Sequence, residues 1–274
     1  MISTLRSLLL ISAGAIALSA CGASKVNGDK ADPLSAVQDP RSTKDFSGEV
    51  RNADSWGRIA RAFMYDNKAG VPDHEADPAR WYKLAADQGD AFGQSMLGAM
   101  YEYGMGVPES EAEAVRWYKL AADRGNASAQ LSLSLMYYLG NVVPKSDFEA
   151  ARWLRLAAEQ GDAVAQWLLG VRYAEGLSVP KSAAEAARWY SMAAERGHAK
   201  AQFEIGVMSL LGEGVPQNLV EAHKWFNLVA TDGDTRAIEQ REIVASMMTP
   251  AQITTAEQLA VEWNAKKTLG SDPK

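Results

Sequence analysis

A single cysteine and only three histidines stand among the 274 residues, and that scarcity removes several classes of protein at once. One thiol cannot make a disulfide within the chain, and a multi-cysteine metal cluster is equally excluded. There is no excess of positive charge, since 28 Lys and Arg face 34 Asp and Glu for a formal net charge of −6. Affinity for nucleic acid comes mainly from cations neutralising phosphates, so a general nucleic-acid binder is disfavoured. No apolar run reaches the roughly 20 residues that span a bilayer. At 47% hydrophobic and 23% charged, the composition is otherwise that of an ordinary globular protein. The excess is in tryptophan, of which there are eight.

The N-terminus has Arg6, then an apolar run from Leu8 to Leu18, then Ser19, Ala20 and Cys21. A positive start, a short apolar stretch and small residues at its end are the layout of a signal peptide. A buried core helix and a secreted protein with a free thiol are the alternative readings. Leu18-Ser19-Ala20-Cys21 resembles the lipobox of bacterial lipoproteins. That resemblance implies cleavage before Cys21, acylation of its thiol and new amino terminus, and anchoring of the chain in a membrane. Gly22 and Ala23 lack the Asp that favours inner-membrane retention in enterobacterial lipoproteins, so the resemblance points to the outer membrane, with its periplasmic or surface face open. Residues 1–20 are then the leader, and 21–54 the lipidated start of a tether rich in Gly, Ser, Asp, Lys and Pro. A flexible tether of that length has an end-to-end distance of roughly 30 Å.

From residue 55 the sequence becomes periodic. Trp81, Trp117, Trp153, Trp189 and Trp225 are each 36 residues apart, as are Pro72, Pro108, Pro144, Pro180 and Pro216, and Gly89, Gly125, Gly161, Gly197 and Gly233. A fixed period of this size indicates stacked supersecondary units that cannot bury their apolar faces alone. Within one unit, Ala91 to Tyr103 has helical spacing through Met96, Leu97, Met100 and Tyr101, with Gly93, Gly98 and Ala99 allowing close approach. This is helix A. Gly104-Met105-Gly106-Val107-Pro108 then interrupts it. Helix B opens with a cap, because Ser110, Ser146, Ser182 and Asn218 are each followed three residues later by Glu113, Glu149, Glu185 and Glu221. It continues through Trp117, Leu120 and Ala121 on one face and ends at Gly125. Asn126 is placed to cap the next helix A, with Asp90, Asp162, His198 and Asp234 as its equivalents.

The unit A-x-x-Q-x-x-L-G-x-x-Y-x-x-G-x-G-V-P, followed by E-A-x-R-W-Y-x-x-A-A-x-x-G, resembles the Sel1-like repeat, a relative of the tetratricopeptide repeat. Ala91, Gln94, Leu97, Gly98, Tyr101, Gly104, Gly106, Val107, Pro108, Ala114, Trp117, Tyr118, Ala121, Ala122 and Gly125 carry the match. The expected fold is all-α, an α-solenoid of five helix-turn-helix repeats over 55–90, 91–126, 127–162, 163–198 and 199–234, followed by C-terminal capping helices and a tail over 235–274. Ser134 replaces the glycine of the Gly98 column, and Val142 and Ser178 replace that of the Gly106 column. The first helix A begins Ser55-Trp56-Gly57-Arg58, without the Ala and Gln. Thr249, Pro250 and Gln252 open a last helix with Ile253, Leu259, Ala260 and Trp263 on one side, read as the cap of the open core.

Catalytic patterns fail on inspection. His74-Glu75 lacks the second histidine of a zinc-protease motif because residue 78 is Pro78. Ser178 to Lys181 has the spacing of penicillin-recognising serine enzymes, but it lies in an interhelix loop without companion motifs. His74 and His198 occupy cap columns, and His223 a column of small apolar residues. No enzyme activity, metal or cofactor is expected.

The resemblance implies a scaffold whose A helices select a protein or peptide partner through positions that change between repeats. Those positions are Phe63 and Asp66; Ser95, Ala99, Glu102 and Tyr103; Leu131, Leu135 and Tyr138; Trp167, Val171 and Glu175; and Phe203 and Val207. The expected role is an anchored interaction scaffold in the bacterial cell envelope. One alternative is binding or hydrolysis of cell-wall peptides or β-lactams, as proposed for cysteine-rich relatives whose repeats each carry a disulfide. Another is a cytoplasmic regulator with a fortuitous leader.

Overall fold

The joints between helices are built from the residues that recur. A computed structural model describes residues 78–270. Cys21, the tether and the first helix A, with Trp56, Phe63, Asp66 and His74, lie outside the described residues. Among the described residues there are eleven helices and no strand. They are α1 (Pro78–Asp87), α2 (Ala91–Tyr103), α3 (Glu111–Asp123), α4 (Ala127–Leu139), α5 (Asp147–Glu159), α6 (Ala163–Glu175), α7 (Ala183–Glu195), α8 (Ala199–Leu211), α9 (Leu219–Ala230), α10 (Thr235–Ser246) and α11 (Pro250–Gly270). The even-numbered helices are A helices, and α1 to α9 alternate B and A as the period requires. The fold is the expected all-α solenoid class.

Passage from B to A takes three residues after α3, Arg124, Gly125 and Asn126. At the end of α3 the Gly125 N–H donates to the Ala122 carbonyl at 2.9 Å and the Asn126 N–H to Ala121 at 3.0 Å. This Schellman pair needs a left-handed residue between helix and cap, and Gly125 supplies it with φ of +86°. Asn126 Oδ1 then accepts the Ala129 N–H at 2.9 Å, capping α4. Asp90, Asp162 and Asp234 cap in the same way, and His198 does so through Nδ1, which accepts the Ala201 N–H at 3.2 Å.

Passage from A to B is a closed loop. The Ser110 N–H donates back to the Tyr101 carbonyl at 2.8 Å while Ser110 Oγ accepts the Glu113 N–H at 3.3 Å. Ser146, Ser182 and Asn218 repeat both bonds. Because its N–H is already used, the cap does not draw the glutamate back, so only half of the capping box forms. Glu113 instead pairs with Arg116 at 3.2 Å, whose guanidinium lies 4.6 Å from the Trp117 ring centroid. The same glutamate, cation and tryptophan recur at Glu149, Arg152 and Trp153, at Glu185, Arg188 and Trp189, and at Glu221, Lys224 and Trp225.

The glutamine of the repeat is a backbone partner. Gln94 Nε2 donates to the Ala86 carbonyl at 3.1 Å, giving a second donor to an acceptor near the end of the preceding helix B that already takes the Gly89 N–H at 2.9 Å. Gln130, Gln166 and Gln202 do the same to Ala122, Ala158 and Ala194.

The chain divides into two compact units, Met1–Ser132 and Leu133–Lys274, with the boundary inside α4. In the first, Trp117 is buried among Ala79, Tyr82, Ala86, Leu97 and Met100, so the recurring tryptophan is core. Gly98 lies against the Tyr118 ring. In the second unit Trp153, Trp189 and Trp225 are likewise buried. Burying side chains of this size contributes roughly 2–3 kcal/mol each. Gly170 and Gly206 lie against Tyr190 and Phe226. Ser134, in the same column, is accommodated because the residue in the Tyr118 column is Leu154, and its Oγ donates to the Ala150 carbonyl at 2.8 Å. Ser178 keeps the left-handed backbone of Gly106 and Gly214, with φ of +61°, whereas Val142 does not.

Beyond the last repeat, α10 presents Ala237 and Val244 to the core beside α9. Helix α11 opens with a reciprocal capping box, in which Thr249 Oγ1 accepts the Gln252 N–H and Gln252 Oε1 accepts the Thr249 N–H. It packs on α9 and also reaches α7: Ala260 joins the core of Tyr190, Ile205 and Trp225, and Trp263 Nε1 donates to Glu195 Oε2 at 3.1 Å. Covering of the last repeat is therefore shared, with α10 on its A side and α11 across the B helices.

Candidate partner-binding face

The A-helix positions that vary between repeats do not all reach solvent. Ser95 and Leu131 are buried at 8% and 4% exposure. Two further members of their column, Trp167 and Phe203, are half-buried in packing contacts. Trp167 stacks on His198 with ring centroids 5.2 Å apart and has Lys200 Nζ 5.0 Å from its ring centre. Phe203 meets Phe226 edge-on at 5.5 Å and is covered by the Arg236 guanidinium at 5.0 Å. The fifth residue of helix A therefore meets the following helices at Trp167 and Phe203, so this column serves helix packing first.

One and two turns further along the A helices the positions are partly open. Ala99, Leu135, Val171 and Val207 are half-buried, as are Glu102, Tyr103 and Tyr138, and Glu175 is exposed. Residues four and seven apart share a helix face, which is why each A helix presents these positions together. Glu102 accepts a 2.6 Å hydrogen bond from the Tyr118 hydroxyl. Burial pushes its carboxyl above the ordinary range, against the hydrogen bonds from Tyr118 and Tyr103 that lower it. Burial first, and then the same contact, hold both phenols up. Glu204 is also raised, by burial first, with Arg236 opposing and Glu175 reinforcing.

Sequence reasoning did not single out Arg172, which is 8% exposed and lies with its guanidinium 5.5 Å from the Tyr138 ring centroid. A signal was present, because Met100, Met136 and Met208 occupy the same column.

The two described histidines resolve as local structure. His198 is the α8 cap, with a pKa drawn down to about 4 by burial and then by Lys200. His223 is buried in the α9 packing and lowered mainly by burial. Ser178 and Lys181 are both on the exposed loop between α6 and α7. A cavity of about 340 Å³ beside Trp225 is lined by Ser191, Glu195, Ile205, Ser209, Asn218 and Glu221. Among the described residues no group of three or more His, Cys, Asp or Glu could hold a metal ion, and no helix is long and apolar enough to cross a membrane.

The Sel1 repeat family matches residues 79–90, 91–126, 127–162, 163–198 and 199–234, more than half of the chain. The chain belongs to the Sel1 repeat family. A solved Sel1 repeat protein from Oxalobacter formigenes is 32% identical, covers 72% of this chain and superposes with a TM-score of 0.68. The chain spans 58% of that protein's length. A protective antigen of uropathogenic Escherichia coli is 25% identical over 81% of this chain and 63% of its own, with a TM-score of 0.38. An immunity protein of Pseudomonas aeruginosa is 18% identical over 87% and 85%, with a TM-score of 0.44. These two superpose too loosely to carry a function across. No curated protein matches the chain.

Within this Sel1 array the motif residues hold the fold together, with Gln bonded to the preceding helix, Gly beneath a ring, and Ser or Asp as a cap. Sel1 repeats generally serve as protein-protein interaction scaffolds and are typically non-catalytic. The motif columns are occupied by folding, which leaves the partly open A-helix positions within each unit as those that differ from repeat to repeat.

Proposed function

We propose that the protein is a docking scaffold of the bacterial cell envelope, held to the outer membrane by acyl groups on Cys21 and binding a protein or peptide partner on its A helices. The observation that carries the docking reading is the set Leu135, Val171 and Val207 with Tyr138 in the second unit, which stays partly exposed and changes in character between repeats, as Ala99 and Glu102 do by themselves in the first. Apolar and aromatic anchors in a polar frame suit a protein surface. Leu18-Ser19-Ala20-Cys21 supports the anchor, and three acyl chains exceed the about two signals that stable anchoring takes. The tether lets the repeats stand clear of the lipid.

Two experiments test this. Globomycin should make an unprocessed precursor accumulate, and Cys21→Ala should move the protein out of the detergent phase; unchanged behaviour in both ends the lipoprotein reading. Photo-crosslinkers at Leu135 and Val207, in intact envelopes, should trap a discrete partner that crosslinkers on the outward Phe148 do not. Equal yields from both surfaces would end the A-helix assignment.

A further inference from the structure

The column holding Met100, Met136 and Met208 is a core column, since Met100 and Met208 are 5% and 8% exposed. Arg172 sits at the same depth, so an apolar side chain of similar length fits there three times over. Its guanidinium packs on the Tyr138 ring, and Lys145 Nζ lies 5.6 Å from the centre of that ring. Among the described residues the Arg172 side chain has no ion pair and no hydrogen bond, while its backbone carbonyl accepts the Leu177 N–H at 2.9 Å; Asp147, in the first turn of α5, acts on the guanidinium only through space. A desolvated cation without a carboxylate is costly to the fold. The guanidinium nitrogens are nevertheless not among the unpartnered polar atoms that are fully sealed from solvent.

We propose that Arg172, backed by Tyr138 and assisted by Lys145, is a recognition point for a side-chain carboxylate in an acidic segment of the docked partner. The inference rests on the docking reading and gives that partner a chemistry. The planar donors of a guanidinium match a carboxylate through two parallel hydrogen bonds. The guanidinium carbon lies 5.5 Å from the Tyr138 ring centroid, a contact with the ring that takes none of the N–H donors. Lys145 adds a second positive charge, and Asp147 nearby disfavours a larger anionic charge, which selects a carboxylate over a phosphate dianion. Leu135 and Val171, next to Tyr138 and Arg172 on the A helices, offer apolar contact to residues flanking the acid. The unpaired cation thus breaks the local pattern where the surface is available for binding, as functional positions do.

The test uses the full chain in detergent and a fluorescein-labelled peptide of alternating Glu and Leu, read by anisotropy, beside its Gln and Leu counterpart. The Glu peptide should bind with an affinity that falls as salt rises, and the Gln peptide at least tenfold more weakly. Arg172→Met should lose at least tenfold and Lys145→Ala severalfold, while Asp147→Asn should bind equally or better. Arg172→Met should also melt no lower than the wild type. Failure of the wild type to prefer Glu, equal binding by Arg172→Met, or a melting point several degrees lower in that variant would each overturn the assignment. Tenfold tighter binding of a phosphoserine peptide would overturn the choice of carboxylate. An envelope partner trapped equally by wild type and Arg172→Met would end this inference and leave docking standing; Glu-specific binding with no trapped partner would do the reverse.

Discussion

A Cβ placed on Gly98 would lie 2.8 Å from Cδ1 of the Tyr118 ring, so the ring of α3 leaves no room for a side chain at this point of α2. Gly98→Ala should therefore destabilise the protein by about 1–3 kcal/mol, as overpacking does. Chemical denaturation measures it. Tyr118→Leu in the same chain should recover at least part of the loss, since Ser134 is tolerated opposite Leu154. Simple additivity of the two changes would show that the pair is not coupled.

Gln166→Met removes the donor to the Ala158 carbonyl from a fully buried site. The expected loss is about 1–2 kcal/mol from an acceptor deprived of one partner. Gln160→Ala, on the exposed side of the same joint, should change stability far less, and equal effects would sink the distinction.

His198 gives a pH signature. Its pKa is about 4 in the fold against 6.5 in the free side chain, so the unfolded chain binds the proton first as pH falls. The stability that this neutral cap contributes is complete above 6.5 and lost as pH drops through that value toward 4. The loss amounts to at most about 3 kcal/mol. His198→Asn keeps the cap chemistry of Asn126 without titrating, so wild type should lose melting temperature relative to it between those pH values. Parallel profiles would rule out a neutral buried cap.

Glu102 has the opposite sign. Its raised carboxyl favours the protonated fold, so its contribution is complete below the ordinary value of 4.5 and lost as pH rises through the folded one. Glu102→Gln retains an acceptor for Tyr118 and should melt higher than wild type at neutral pH, with the gap closing on acidification. A gap that widens instead would show that the Tyr118 bond outweighs burial.

The joints were legible in the sequence because each depends on two or three neighbouring residues: Gly125 with Asn126, and Ser110 with Glu113. The tryptophan column was legible as core because a fixed period makes one environment recur. What escaped depended on partners far along the chain. Trp167 looked like a variable surface residue because nothing local announces that His198 and Lys200 will close over it. Half of the capping box failed because the Tyr101 carbonyl, nine positions before Ser110, claims the amide first. Ser134 was readable as a departure, but its compensation by Leu154 was not, since the two meet only once the helices pack.

The bond from Trp263 to Glu195 joins residues 68 apart, far beyond a single 36-residue period. An array held only by neighbour-to-neighbour interfaces frays from its ends inward, one unit at a time. Here α11 fastens the last repeat to the one before it, so the final repeat cannot open without also releasing the terminal helix. The amides of α9 and α11 should then exchange with solvent as a single kinetic block, and the C-terminal end of the solenoid should be its slow end.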